Sequence, residues 1–225
     1  MNNYCCTNTG CNPCPQPPQQ APQPTQRPCC PCGEDFRKAL DLICCPQLRF
    51  AVDFSSFAFV TDDYVLGTPV TTPPTDTAPS DNLTEPVGVY TCGGDSCETI
   101  TVSGTLYPAA ADSAALSPVV TQAALCRLTA IAFAAATTTE PIATNFQTIS
   151  QTLGQLLRPQ KHNDCCSVAD ALTTAAAVRA STVVAGPLVV QNSTIIGQIG
   201  SILVMANSTD SRFYFICANA IDFMG

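Results

Sequence analysis

Charged residues are scarce in this sequence, and the basic ones are outnumbered. The 225 residues include 9 Lys+Arg against 17 Asp+Glu, and charged residues make up 12% of the chain, about half the share of roughly 25% found in soluble domains. The formal net charge of −8 repels phosphate backbones, so we expect no nucleic-acid partner. So little charge indicates a surface covered by uncharged polar side chains or by neighbouring subunits, and both suit large assemblies.

Long apolar runs are absent as well. The most apolar segment, residues 130–136, is seven residues long, far short of the roughly 20 that span a bilayer. The segment Met1–Cys6 has neither the basic nor the apolar region of an export signal. We therefore expect a chain made in the cytosol with no membrane span. A mature fragment that has lost its signal is the alternative, and Met1 argues against it.

Catalytic motifs are missing too. The one histidine, His162, stands shortly before Cys165 and Cys166, and in a short loop without an evident pocket it is expected to be an exposed residue, not part of a Cys/His nucleophile. The sequence has no glycine-rich phosphate loop, nucleophile elbow or zinc-protease helix. Asp62 and Asp63 are expected to form a turn. We predict no enzymatic activity, no cofactor and no small-molecule substrate.

Cysteine, in contrast, is abundant. The chain has 15 cysteines, and eight form the vicinal pairs Cys5-Cys6, Cys29-Cys30, Cys44-Cys45 and Cys165-Cys166. Adjacent cysteines rarely bond to each other because disulfide geometry is narrow, so each pair indicates two bonds leaving in two directions. The total is odd, so pairing within one chain cannot be complete. We interpret this pattern as that of a structural protein that cross-links itself.

Dense cysteines without an export signal have two explanations, because the cytosol keeps thiols reduced. Either they oxidise after the protein is deposited elsewhere, or they bind metal. Cys11 and Cys14 have the spacing of half a zinc site, and Cys29-Cys30-Pro31-Cys32 resembles a soft-metal cluster. However, a second half-site at the right spacing is missing, and proline-rich surroundings offer nothing to orient the thiolates. A thiolate-rich metal-binding protein is therefore the alternative, and no metal ligand is assigned.

Composition divides the chain into two parts. Residues 1–32 combine a Pro/Gln tract with seven cysteines and have almost nothing to bury, so they predict a disordered, extended arm. Residues 33–225 predict a single assembly domain of the α+β class, a mostly antiparallel sheet packed with Ala-rich helices. The expected helices lie at 34–45, from Ser117-Pro118 to Ala135, near 141–157 and at 167–180. The expected strands lie at 48–60, 87–91, 98–103, 181–191, 195–206 and 212–223.

One intramolecular disulfide is expected from the predicted hairpin of strands 87–91 and 98–103. If the turn is the four residues between Cys92 and Cys97, these cysteines stand opposite each other at a Cα separation of roughly 4.5–5.5 Å, which a disulfide spans. The alternative is a pair of unbonded loop thiols. Cys126 and Cys217 lie in apolar patterns and are expected to be buried free thiols.

The vicinal cysteines and the arm, on a body of low charge rich in Ala and Thr, resemble the cysteine-rich self-assembling spore-surface proteins of Firmicutes. The clostridial exosporium basal-layer proteins are the nearest in composition. The subunits of Bacillus spore appendages are similar in using an N-terminal cysteine arm to bond to neighbours. The resemblance implies a product of the mother-cell cytosol that is deposited on the spore surface, in exosporium or coat.

The expected function is therefore a structural subunit of a disulfide-cross-linked, two-dimensional spore surface lattice. Its partners are other copies of itself and other spore-surface proteins, and a subunit of a filament or adhesive appendage is the further alternative. For Cys44, Cys45, Cys165 and Cys166 the alternative to bonds between subunits is a bond from a helix end to the body. The cysteines expected to bond between subunits are Cys5, Cys6, Cys11, Cys14, Cys29, Cys30, Cys32, Cys44, Cys45, Cys165 and Cys166.

Overall fold

The computed structural model describes residues 4–7, 10–13, 31–72, 81–93, 96, 98–137, 140–157 and 182–225, and only the backbone of the first two segments. These residues form fourteen strands and two α-helices. The helices are α1 (Pro31–Ile43) and α2 (Ile142–Leu156). The strands are β1 (Tyr4–Thr7), β2 (Gly10–Pro13), β3 (Val52–Val60), β4 (Tyr64–Leu66), β5 (Val89–Tyr90), β6 (Thr99–Pro108), β7 (Leu116–Ala124), β8 (Ala130–Ala135), β9 (Thr182–Ala185), β10 (Leu188–Gln191), β11 (Thr194–Ile199), β12 (Ile202–Asn207), β13 (Arg212–Cys217) and β14 (Ile221–Met224).

Nine of these strands form one antiparallel main sheet. Its hydrogen-bonded order is β11-β12-β13-β8-β3-β4-β6-β5, and β7 pairs with β6 on the side away from β4 and β5. A small sheet has the order β10-β9-β14, and β1 pairs with β2 on its own. The strands are joined mostly by tight turns, because antiparallel neighbours need only a few connecting residues.

The central strands of the main sheet are buried on both faces. Successive residues of a strand point to opposite faces, and β13 divides its residues accordingly. Phe213 and Phe215 belong to the core cluster that includes residues of α1 and α2, whereas Tyr214 and Ile216 belong to the cluster that includes β9 and β10. The body therefore has three layers, with helices on one face of the main sheet and the small sheet on the other.

The two faces of the main sheet differ in side-chain size. On the helix face, Phe57, Phe133 and Phe213 occupy one rung across β3, β8 and β13, and neighbouring ring centroids are 5.4 Å apart. On the opposite face the next rung starts with Ala58 and Ala132. Cross-strand aromatic pairs stabilise the first face, and the small alanines leave room for the small sheet on the second.

Both described helices confirm predictions from hydrophobic spacing. α1 begins three residues before the expected helix at 34–45, and its Phe36, Leu40 and Ile43 are fully buried. Asp35 in its first turn accepts a hydrogen bond of 2.7 Å from the Ser201 amide. Gly200 precedes Ser201 in the turn between β11 and β12. Its φ is +54°, and a side chain at this position would meet the Asp35 carboxylate, so only glycine fits there. Neither described helix is long and apolar enough to cross a membrane.

The predicted α+β class is wrong, because the Ala-rich segment from Ser117 to Ala135 forms strands. β7 and β8 occupy it, separated by one 3-10 turn at Leu125–Arg127. Alanine favours helices by less than about 1 kcal/mol per residue. Complete burial of Ile131 and Phe133 on one face, with Ala130 and Ala132 on the other, outweighs that preference. The fold is a predominantly antiparallel β structure in which the helices are a minor layer.

Most of the remaining element predictions agree with the structure. The strand at 48–60 and the hairpin of β5 and β6 are confirmed. The three C-terminal strands are confirmed as β structure, but each is divided, by turns at Gly186-Pro187 and Gly200-Ser201 and by a 3-10 turn at Ala218–Ala220. In the expected disordered arm, the backbones of β1 and β2 pair with Cys6 opposite Cys11. The predicted helix at 167–180 lies outside the described residues.

Candidate functional site

Two intrachain disulfides connect α1 to the main sheet at both ends of the helix. Cys32, in the first turn of α1, bonds to Cys217 at the end of β13 with a Cα separation of 5.7 Å. Cys44, the residue after α1, bonds to Cys92 just beyond β5 with a Cα separation of 5.9 Å. The bonded residues are 185 and 48 positions apart in sequence. The helix layer is thus held to the sheet covalently as well as by its buried face.

The structure corrects the expected Cys92–Cys97 disulfide, because Cys92 bonds to Cys44. The hairpin register is the reason. Tyr90 pairs with Val102, and the Thr91 amide donates to the Thr101 carbonyl at 3.2 Å. Continued by one residue, this register sets Cys92 opposite Ile100 and not Cys97. The connecting loop is therefore longer than the assumed four residues, and the sulfur of Cys92 meets the end of α1.

Two further expectations for cysteines are also corrected. Cys32 was expected to bond between subunits, but it lies in α1 and is bonded within the chain. For Cys44 the alternative expectation, a bond from a helix end to the body, is the one the structure contains. Cys126 and Cys217 were expected to be free thiols, but both are in disulfides, and Cys126 is exposed.

A signal for the Cys32–Cys217 bond is present in the sequence. Cys32 precedes Phe36 and Leu40 at intervals of four residues, so it continues the apolar face of α1. Cys217 follows Phe213 and Phe215 at intervals of two, so it continues the helix-facing side of β13. All six residues belong to the same core cluster. Both periodicities can be recognised in the sequence, but the sequence does not indicate that the apolar face of α1 packs against this side of β13.

Cys45 is a free thiol and is partly exposed. Its backbone carbonyl accepts hydrogen bonds from the amides of Leu48 (3.0 Å) and Arg49 (2.9 Å), which form the turn after α1. Its neighbour Cys44 is bonded to Cys92, so the two sulfurs of this vicinal pair differ in role. The Cys44 sulfur holds the body together, and the Cys45 sulfur is a thiol on a partly exposed residue that packs against the core.

The remaining cysteines expected to bond between subunits are not tested by these contacts. Cys5 and Cys6 lie in β1 and Cys11 lies in β2, where only the backbone is described. The other five expected residues lie outside the described residues: Cys14, Cys29, Cys30, Cys165 and Cys166. Their bonds between subunits stay a prediction.

A buried ion pair joins Asp81 to Arg212 of β13. The Arg212 guanidinium donates through Nη1 to both carboxylate oxygens of Asp81, at 2.8 and 2.6 Å, and the Tyr214 hydroxyl donates to Oδ2 at 2.6 Å. Asp81 is fully buried, and its Oδ1 also accepts from the Leu83 amide at 3.0 Å. Burial acts to lower the pKa of Arg212, but the Asp81 carboxylate acts against it, and the pKa is raised above its usual value.

This cluster fixes the loop at Asp81–Leu83 to β13. The lone pairs of the Asp81 carboxylate accept hydrogen bonds from internal donors, so none is left to bind a substrate or a metal. Sequence reasoning missed it, because Asp81 and Arg212 are 131 positions apart and neither stands in a motif.

A cavity of about 600 Å³ with both polar and apolar residues in its lining opens beside this ion pair. Asp53 is one of its acidic residues. Burial acts to raise the pKa of Asp53, but hydrogen bonds from the Ser55 hydroxyl and amide and from the Ser56 hydroxyl lower it overall. Among the described side chains, no three His, Cys, Asp or Glu residues converge as a metal site requires. The cavity lining also includes Thr71, Thr84, Glu85, Asp210 and Arg212.

These features define a disulfide-bonded β domain whose distinctive chemistry is that of its sulfur atoms. The model of the spore coat protein CotA-like family matches residues 29–225, and this chain belongs to that family. Spore coat protein CotA of Clostridioides difficile (strain 630) is a similar protein, 26% identical over 271 aligned positions that cover 92% of this chain and 87% of that one. No solved structure matches.

The family confirms the expectation of a Firmicutes spore coat or exosporium protein. The matched range includes α1, both described disulfides and the free thiol of Cys45. It begins at residue 29, so most of the cysteine-rich arm precedes it.

Proposed function

We propose that this protein is a structural, non-enzymatic subunit of the spore surface layer, in coat or exosporium. Copies of the chain assemble into an extended lattice with one another and with other spore-surface proteins. Disulfides between chains then make the lattice resistant. Membership of the spore coat protein CotA-like family supports the location and the structural role.

The observation that carries the proposal is the state of the vicinal pair Cys44-Cys45. The body uses Cys44 for an internal bond, while Cys45 is left as a partly exposed thiol. Since the chain has 15 cysteines, at least one sulfur in every chain is either a thiol or bonded to another molecule. A body closed by its own disulfides, with surplus sulfur at its surface and in its arm, is suited to cross-linking without loss of its fold.

Each cross-link forms by oxidation of two thiols from different chains. The thiolate of one cysteine attacks a small-molecule disulfide and releases one thiol, and the thiolate of the second chain then displaces the other. Two protein thiols lose two electrons and two protons, and the small disulfide is reduced to two thiols. Several such bonds give kinetic resistance, because a subunit that unfolds transiently remains attached.

Mixed isotope labelling tests the proposal directly. Equal amounts of unlabelled and ¹⁵N-labelled chains are combined while reduced, assembled, oxidised with glutathione disulfide and digested without reduction. We expect disulfide-linked peptide pairs with one light and one heavy partner, in assemblies that withstand boiling in detergent and dissolve when a reductant is added. If every linked pair carries a single label, the bridges lie within chains and the proposal is wrong.

A variant with serine at Cys5, Cys6, Cys11, Cys14, Cys29 and Cys30 provides the matched control. We expect it to keep the circular dichroism of the parent but to lose most of the resistance to detergent. Elemental analysis of the parent purified under reducing conditions tests the metal-binding alternative, which requires stoichiometric zinc or copper that disappears in this variant. Electron microscopy of the assemblies distinguishes a sheet from a filamentous appendage.

A further inference from the structure

The strand β7 forms an edge of the main sheet and pairs with β6 only, among the described strands. It is nine residues long, or roughly 30 Å. The Leu125 amide donates to the Glu98 carbonyl at 2.9 Å. Since backbone groups alternate in direction along an antiparallel strand, the N–H and C=O groups of Ala124 and Gln122 point away from β6. Such a row of backbone groups is a template for another strand.

This edge has no charged side chain, although its pairing with β6 contains two register shifts. Natural edge strands carry charged side chains, especially lysine, or proline, that discourage pairing. Residues 113–126 contain no Asp, Glu, Lys or Arg, and Val119 is 90% exposed. Pro118 removes one backbone donor, but every residue from Val119 to Ala124 has a backbone N–H.

An apolar groove lies next to the same strand. Its volume is about 240 Å³, and it lies between β7 and the ends of β3, β4 and β6. None of its lining residues belongs to α1 or α2, so the helix layer does not cover this end of the sheet face. An added strand places alternate side chains over such a groove, which gives the contact specificity as well as backbone hydrogen bonds. The apolar lining residues include Phe59, Leu66, Leu106, Val120 and Leu128.

Charge distribution indicates that the added strand comes from a second copy of this chain. Two copies, each with a formal net charge of −8, repel each other overall. Contact between them is least unfavourable where neither surface carries charge, and β7 itself is such a place, with Arg127 the one charged residue that lines the groove beside it. Two β7 strands related by a two-fold axis run antiparallel and set each uncharged residue against an uncharged one.

We propose that β7 is the surface on which a second copy of this chain adds to the main sheet. The two β7 strands pair antiparallel through their outward backbone groups, and apolar side chains of each copy cover the groove of the other. This contact rests on the proposed self-assembly and names its non-covalent surface. It brings chains together before disulfides form between them.

The test measures assembly in the presence of a reductant, so that disulfides between chains do not contribute. Sedimentation velocity over a concentration series compares the parent chain with Val119→Lys, Gln122→Pro and the control Val87→Lys. Val87 is 59% exposed but lies outside β7. Val119→Lys sets like charges near each other across the two-fold contact, and Gln122→Pro removes an outward N–H without removing a bond to β6. Each β7 variant should raise the dissociation constant at least about tenfold, while Val87→Lys matches the parent.

Amide hydrogen exchange gives a second readout that does not depend on a variant. The amides of Gln122 and Ala124 should become protected when the parent assembles and stay unprotected in Val119→Lys. If the parent assembles and both β7 variants assemble equally well, the contact is elsewhere and only this inference fails. If the reduced parent stays monomeric but oxidised chains assemble, association needs the covalent links and β7 is not the contact. If the parent assembles under neither condition, the proposed function fails as well.

Discussion

At the scale of single residues, the buried carboxylate of Asp81 determines how the loop before β5 is held. The carboxylate receives two bonds from Arg212 and one from Tyr214, so the cost of removing both charges from water is offset only while all partners are present. The Arg212 Nε atom has no hydrogen-bond partner. A buried pair of this kind fixes one geometry more than it adds net stability.

Replacing Arg212 by methionine tests this role. The Arg212→Met variant leaves Asp81 buried without its counter-ion, and we expect a loss of about 3–5 kcal/mol of unfolding free energy. The double variant with Asp81→Asn should recover a large part of that loss, because it removes the stranded charge. Urea denaturation of dilute, disulfide-intact protein measures both effects.

Arg37→Met is the matched control for that experiment. Its surface pair with Asp41 (3.9 Å) should be worth less than about 1 kcal/mol. A loss as large in the control as in Arg212→Met would contradict the special role of the buried pair.

At the scale of elements, α1 is the helix that connects the arm to the body. Its first turn is bonded through Cys32 to the end of β13, and the residue after it is bonded through Cys44 to Cys92. A pull on the preceding residues reaches α1 first. The Cys32–Cys217 bond transmits that pull to β13 of the main sheet, so α1 cannot separate from the sheet. This arrangement suits the proposed linkage of neighbouring subunits through the arm.

Removing each disulfide should destabilise the body. We expect losses of about 2–5 kcal/mol for Cys32→Ser with Cys217→Ser and for Cys44→Ser with Cys92→Ser, because each bond limits the conformational freedom of the unfolded chain. The loss should be larger by about 1 kcal/mol for the first pair, whose loop is longer. Urea denaturation without reductant provides the measurement.

The control for the disulfide variants is Cys45→Ser, which removes the free thiol next to Cys44. Its effect should stay within about 0.5 kcal/mol. If Cys45→Ser were as destabilising as the double variants, Cys45 and not Cys44 would carry the structural bond.

The elements also show where sequence reasoning succeeds. The helix of Phe36, Leu40 and Ile43 and the strand at 48–60 have periodicities of 3.6 and 2, which decide the element without knowledge of the rest of the chain. The segment from Ser117 to Ala135 has small residues that fit both periods. In this segment, tertiary contacts decided between helix and strand, because β8 lies between β3 and β13 with both of its faces buried.

The disulfides also depend on contacts between residues that are distant in sequence. Cys92 and Cys97 are close in sequence, and this suggested the wrong bond. The partner of Cys92 was decided by a hairpin register and by where α1 ends. The free thiol of Cys45 follows from that choice, since its neighbour Cys44 takes the internal bond.

At the scale of the whole molecule, low charge and net negative charge act in opposite directions on the proposed assembly. The chain repels its copies over long distances, while the strand β7 presents an uncharged edge at short range. Salt screens the first interaction, with a Debye length of about 8 Å at physiological ionic strength, but leaves backbone hydrogen bonds and apolar contact largely unchanged.

Assembly under reducing conditions should therefore become faster as the salt concentration rises. Light scattering after dilution from low salt into about 0.15 M sodium chloride measures the rate. Dilution into an equal concentration of sucrose serves as the control for solute effects. Slower assembly at higher salt would show that ion pairs, not the uncharged edge, hold the chains together.

The sequence by itself determined the chemical character of this protein: an odd and abundant set of cysteines, little charge, and apolar stripes that specify α1, α2 and most strands. These are properties of composition and of near neighbours along the chain. The tertiary structure decided which sulfurs join, which alanines enter a sheet, and that Asp81 meets Arg212. Those outcomes depend on residues up to 185 positions apart, and only the register and layering of the sheets bring them together.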